Sequence, residues 1–149
     1  MKTLIIYQSI HQSNTEKIAQ KMAEVLGADL KKPNEVKTED LANYDLIGFG
    51  SGIYSAHFHA SILKLIESLP DMNSKKAFAF YTSTLVVKKF ASNTEARLAS
   101  KNFSVLGTYG CQGKSTWHPF GLTINILKAH PNEKDLALAV SFAEAIKNK

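Results

Sequence analysis

Apolar residues arrive in two rhythms along this chain. Short and nearly unbroken runs have the length of strands covered on both faces: Leu4-Ile5-Ile6-Tyr7, Leu46-Ile47-Gly48-Phe49-Gly50, Ala77-Phe78-Ala79-Phe80-Tyr81, and Phe103-Ser104-Val105-Leu106-Gly107-Thr108-Tyr109. Between them, apolar positions recur at helical spacing. Ile18, Met22, Val25 and Leu26 form one stripe, stopped by Gly27. Further helices are expected over residues 59–69, ended by Pro70, and over 88–101. A last one opens at Pro131-Asn132-Glu133 and carries Leu136, Val140, Ala143 and Ile146 on one face. Residues 28–32 make a candidate edge strand, broken by Pro33-Asn34, and Thr38-Glu39-Asp40-Leu41 caps a brief helical turn. Residues 50–58 and 110–130 read as loops.

Five strands alternating with helical segments imply an α/β fold. Parallel neighbours need crossover connections, so the sheet is parallel with helices on both faces. Ligands in such sheets sit beyond the carboxyl ends of the strands, where strand order reverses. The polar loops after strands one, three, four and five open on that edge. With 149 residues and 44% hydrophobic content, the chain suits one domain, 1–149.

The run Ser9-Ile10-His11-Gln12-Ser13-Asn14-Thr15 links the first strand to the first helix. A helix N-terminus leaves backbone N–H groups without intrahelical partners and carries partial positive charge, so a loop ending there can cradle a phosphate. Ser9, Ser13, Asn14 and Thr15 add side-chain donors. The same segment also reads as an ordinary turn in which Ser13 or Asn14 caps the helix and the other polar groups face water. No lysine or arginine lies between Tyr7 and Glu16, and the Gly-Lys-Ser/Thr ending of a nucleoside-triphosphate loop is absent.

Charge and cysteine content narrow the setting. The net charge is +5 and the pI near 9.3, but the cations are scattered and only one of the 18, Arg97, is arginine. A lysine-heavy scatter reads as solvated surface rather than a nucleic-acid face. Single Cys111 offers no internal disulfide, no run resembles a secretory signal or a membrane span, and no Cys/His spacing suggests zinc. A cytoplasmic protein without bound metal, nucleic acid or membrane is expected.

With these residues in view, the chain resembles a flavodoxin over essentially its whole length. Ser9, Ser13, Asn14 and Thr15, followed by Glu16-Lys17-Ile18-Ala19, are similar to the family's phosphate loop; His11 and Gln12 stand where hydroxyls are usual and Ser13 where glycine is usual. Gly48-Phe49-Gly50-Ser51-Gly52-Ile53-Tyr54 is similar to the strand and loop that carry one edge of the flavin. The resemblance implies a three-layer α/β/α sandwich with a five-stranded parallel sheet in the order 2-1-3-4-5, and noncovalent FMN. It implies contacts from Ser9, Ile10, His11, Gln12, Ser13, Asn14 and Thr15 to the phosphate. Ser51, Gly52, Ile53 and Tyr54 would contact the ring, and Thr82, Ser83 and Thr84 its pyrimidine edge. Gly52 stands where relatives often have proline and leaves its peptide free to turn a carbonyl toward a protonated flavin N5. No aromatic residue occupies the third loop, so Trp117 or His118 is the candidate to cover the ring, although Trp117 reads equally as a plug under a long loop. His57 and His59 are candidates for tuning the flavin, against solvated or backbone-satisfied histidines.

The function that follows is one-electron transfer between redox proteins. Relatives are usually acidic, and this chain is basic, which points to acidic docking partners. Two alternatives stand: an FMN-dependent oxidoreductase acting directly on a quinone-like acceptor, and a flavodoxin-like domain that has lost FMN. A phospho-acceptor receiver is excluded by the absence of carboxylates in Tyr7-Gln8-Ser9 and Phe49-Gly50-Ser51. A cysteine phosphatase is excluded because Cys111 heads no phosphate loop.

Overall fold

The computed structural model describes residues 1–10, 13–113, 115–117, 124–126 and 130–149, with the backbone alone for 115–117 and 124–126. Five parallel strands make the central sheet: β1 (Thr3–Gln8), β2 (Asp29–Lys31), β3 (Leu46–Tyr54), β5 (Lys76–Ser83) and β6 (Ser104–Gln112). The two-residue β4 (His57–Phe58) pairs antiparallel with the end of β3. The order is β2-β1-β3-β5-β6, with the reversal between β1 and β3. Counting the parallel strands alone, this is the expected 2-1-3-4-5.

Alternation along the strands divides the core in two. Leu4, Ile6, Ile47, Phe49, Ala77, Ala79 and Tyr81 face α2 (Ala60–Ser68) and α3 (Lys88–Ser100), which contribute Ile62, Ile66 and Leu98. Ile5, Tyr7, Leu46, Phe78, Phe80 and Cys111 face α1 (Asn14–Leu26) and α4 (Glu133–Lys147), which contribute Ile18, Ala19, Met22, Leu26, Ala139, Ala143 and Ile146. Successive side chains point to opposite faces, so an unbroken apolar run is what a doubly covered strand requires.

Gly48 and Gly50 belong to this packing. They pair with Phe78 and Phe80 across the ladder. A Cβ at either glycine would lie 2.4 or 2.1 Å from the neighbouring ring. The two rings stack at 6.2 Å over the space the glycines leave.

Two segments read as loops differ from that reading. β3 continues to Tyr54 and folds back through a two-residue turn, Ser55 (φ 50°) and Ala56 (φ 68°), into β4. Both turn residues are left-handed, as a type I′ hairpin requires, but neither is the Asn or Gly that signals one. β6 continues to Gln112, beyond which β7 (Ser115–Trp117) and β8 (Ile124–Ile126) form an antiparallel ribbon. The turn expected at Thr38 is a 3-10 helix over Thr38–Asn43. Among the described residues, no helix is long and apolar enough to cross a membrane.

Candidate flavin-phosphate cleft at the carboxyl edge of the sheet

At the carboxyl ends of β1, β3 and β5 lies a cleft of about 120 Å³. Ser9, Ile10, Asn14 and Thr15 line it from the first loop and helix, Gly52, Ile53 and Tyr54 from the end of β3, and Thr82, Ser83 and Thr84 from the end of β5. Of the residues singled out in the sequence, these ten are brought together. Gly113, which the sequence reading did not select, completes the wall. It donates its N–H to Ser83 O at 3.1 Å, and a Cβ there would lie 2.7 Å from Asn14 Nδ2. In the sequence it lies inside the segment 110–130 read as a loop, four residues beyond the strand expected to end at Tyr109.

Three expected site residues stand elsewhere or play another local part. Ser51 is fully buried behind the cleft; its hydroxyl donates to Gly52 O at 2.6 Å and accepts from His59 N at 2.8 Å, tying the hairpin to the start of α2. Ser13 occupies the N-cap position of α1 in the left-handed region, φ 54° and ψ 28°, and makes no side-chain capping bond. In the turn reading of this segment Ser13 is one candidate cap; instead Ser9 Oγ, from across the loop, accepts the Glu16 N–H at 3.3 Å. Trp117 lies on β7, with its side chain outside the described residues, as are His11, Gln12 and His118 altogether.

The donor set is neutral. Among the described residues lining the cleft, none carries a charge. Accepting from Glu16 uses a lone pair of Ser9 and leaves its hydroxyl proton available to an oxyanion. Thr15 Oγ1 and Thr82 Oγ1 are 2.8 Å apart and buried, joining the first loop to the third. One of the two hydroxyls donates to the other, so the pair keeps one proton to give. Together with the amino end of α1, this chemistry fits a phosphate held by dipoles.

Tyr54 lines the cleft from the end of β3. Its pKa is raised by burial, partly offset by a hydrogen bond from the Ile10 backbone. A Cβ on Gly52 would lie 2.9 Å from the Tyr54 hydroxyl. Tyr54 also meets His59 edge to face at 5.3 Å. His59 caps α2, its Nδ1 accepting from Ser61 N at 3.1 Å, which is a structural task. A second, more apolar cleft of about 500 Å³ shares Tyr54 and Ile10 and is also lined by Phe58, Leu63 and Arg97.

Cys111 sits beneath the site, 4% exposed. Burial, reinforced by Asp135, pushes its thiol up to about 12 against a weaker opposing hydrogen bond with Tyr109. A thiol so protonated is a core side chain rather than a nucleophile.

Residues 4–117 match the model of the flavodoxin domain family. An uncharacterised protein of Methanocaldococcus jannaschii is 45% identical over 148 residues, 98% of either chain. The structure of oxidised flavodoxin 2 from Bacillus cereus superposes with a TM-score of 0.74 at 21% identity, covering 99% of both chains. Rubredoxin oxygen:oxidoreductase from Desulfovibrio gigas superposes with a TM-score of 0.76 at 16% identity, covering 99% of this chain and 35% of that one.

Proposed function

Because this chain belongs to the flavodoxin domain family, matched over residues 4–117, we propose that it binds FMN noncovalently at the carboxyl edge of its sheet and carries electrons between redox proteins of the cytoplasm. The observation that supports this most directly is the cleft itself: three loops converge on one space with hydroxyl and amide donors and no charged side chain among the described lining residues. Bound FMN supplies the electron-transfer chemistry. Ser9, Asn14, Thr15 and the first turn of α1 hold the phosphate, with Ile10, His11, Gln12 and Ser13 completing the loop. Gly52, Ile53 and Tyr54 border the ring, and Thr82, Ser83 and Thr84 offer donors to its polar edge; Trp117 is the candidate cover. No side chain is required as general acid, base or nucleophile. The test is the visible spectrum of the purified protein. Flavin bands, with FMN released by acid, are the expected result; a colourless protein that ignores added FMN would mean a domain that has lost its cofactor.

The larger apolar cleft beside Tyr54 favours a second reading, in which the flavin reacts directly with a small quinone-like acceptor seated over Phe58 and Leu63. Fast oxidation of a pyridine nucleotide by the isolated protein and a soluble quinone, without any reductase, distinguishes this from the carrier.

A further inference from the structure

The segment that leaves the cleft after Thr84 runs against ordinary surface chemistry. Leu85, Val86 and Val87 are consecutive and exposed, at 66%, 53% and 37%. Exposed apolar side chains are unremarkable singly, but a contiguous run beside a site is a mark of an interaction surface. Lys88 and Lys89 follow at once, exposed on the first turn of α3, which carries no acidic residue. Cations there oppose the helix dipole, and Val87 at the N-cap has no side-chain oxygen to satisfy the first N–H groups. The nearest carboxylate along the helix, Glu95, is engaged by Thr108 Oγ1 at 2.6 Å. Local stability thus favours different residues at each of these positions.

The segment is held in place. Tyr81 donates its hydroxyl to Val87 O at 3.2 Å, Phe90 N donates to the same carbonyl at 3.1 Å, and the Phe90 ring packs edge to face on Tyr81 at 5.9 Å. The apolar knob and its lysines are therefore presented on a fixed base, joined to the cleft wall through Thr84, whose carbonyl accepts from Gln112 Nε2 at 3.4 Å.

We propose that Leu85, Val86, Lys88 and Lys89 form the docking patch for an acidic redox protein that exchanges electrons with the adjoining cleft. This rests on the carrier reading and adds the surface used. Charge complementarity chooses the occupant: lysines and an unneutralised helix terminus attract carboxylates, while the apolar pair supplies buried contact. A second copy of this chain is disfavoured, because pairing the patch with itself would oppose lysine to lysine.

The experiment is an NMR titration of the FMN-loaded, isotopically labelled protein with a plant-type [2Fe–2S] ferredoxin as acidic probe and cytochrome c as basic control. Ferredoxin is expected to shift the amides of residues 84–92, with an affinity that falls as salt rises, and cytochrome c to leave them in place. K88E/K89E is expected to weaken ferredoxin binding at least tenfold at low salt and flatten its salt dependence. L85S/V86S is expected to weaken it severalfold with the salt dependence kept. Both pairs lie outside the cleft and should retain FMN. Ferredoxin shifts that fall elsewhere, no shifts at all, equal response to cytochrome c, or self-association through this patch would each overturn the proposal. A wild-type protein that cannot hold FMN sinks the carrier reading, whereas intact FMN binding with an unresponsive patch sinks the docking surface alone.

Discussion

Ser13 shows how one residue sets the strain of the loop before α1. It sits in the left-handed region and contributes no capping bond, so its side chain carries a conformational cost that no capping bond offsets. Ser13→Gly is expected to raise stability by about 0.5 kcal/mol, the relief of strain outweighing the added freedom of the unfolded chain, and Ser13→Val to lower it by about 1–2 kcal/mol. Urea denaturation distinguishes these signs. Ser9 and Thr15 have the opposite character, since both hydroxyls are in use. Ser9→Ala removes the acceptor for Glu16 N–H and, on the proposed reading, a donor to the FMN phosphate, so FMN affinity should fall about tenfold, roughly 1.4 kcal/mol, read by fluorescence titration. Unchanged affinity would place the phosphate elsewhere.

At the scale of elements, the hairpin of β3 and β4 governs the middle of the cleft. Its Ser-Ala turn is legible only in the folded backbone, because the usual Asn-Gly signal is missing. What closes it is tertiary: Ser51, buried within β3, accepts from the backbone N–H of His59, the residue before α2, and Phe58 enters the core. Ala56→Gly, which removes a Cβ from a left-handed position at φ 68°, is expected to stabilise the protein by about 1 kcal/mol. A lower thermal midpoint for this variant would contradict the strain described. Deeper in the same strand the sign reverses. Gly50→Ala drives a methyl into the Phe80 ring and should cost about 3 kcal/mol or more, since backbone holds one side of the contact and stacked aromatics the other.

For the whole molecule, the buried protonated groups set an alkaline limit. Burial, then the bond to Glu16, raises Tyr7 from 10.0 to about 12. Burial chiefly raises Cys111 from 9.0 to about 12, and Tyr109 is raised for the same leading reason. Each keeps its proton in the fold after the unfolded chain would lose it, so this stability is complete below about pH 9 and is lost as pH climbs toward 12. The slope is about 1.4 kcal/mol per pH unit for each titrating group. The urea midpoint should therefore fall steeply between pH 9 and 11; a flat profile there would contradict the assigned burial. Charge acts at the same scale. On the proposed FMN reading, the chain's net charge of +5 favours the anionic, fully reduced flavin, so the second reduction potential should be less negative than in acidic relatives, as a redox titration would show.

Local patterning alone marked the five parallel strands and the four helices, because doubly buried strands and one-sided helices leave characteristic spacings of apolar residues; it read the β3–β4 hairpin and the β7–β8 ribbon as loops. It also marked the donor-rich residues before α1 that line the cleft, since they are local in the chain. Only the folded structure decided that Ser9 rather than Ser13 would cap that helix, that Thr15 would reach Thr82, that Ser51 would turn inward and that Gly113 would close the wall. Those assignments depend on atoms brought together from distant parts of the chain, and no periodicity along one strand or helix encodes the distance to another.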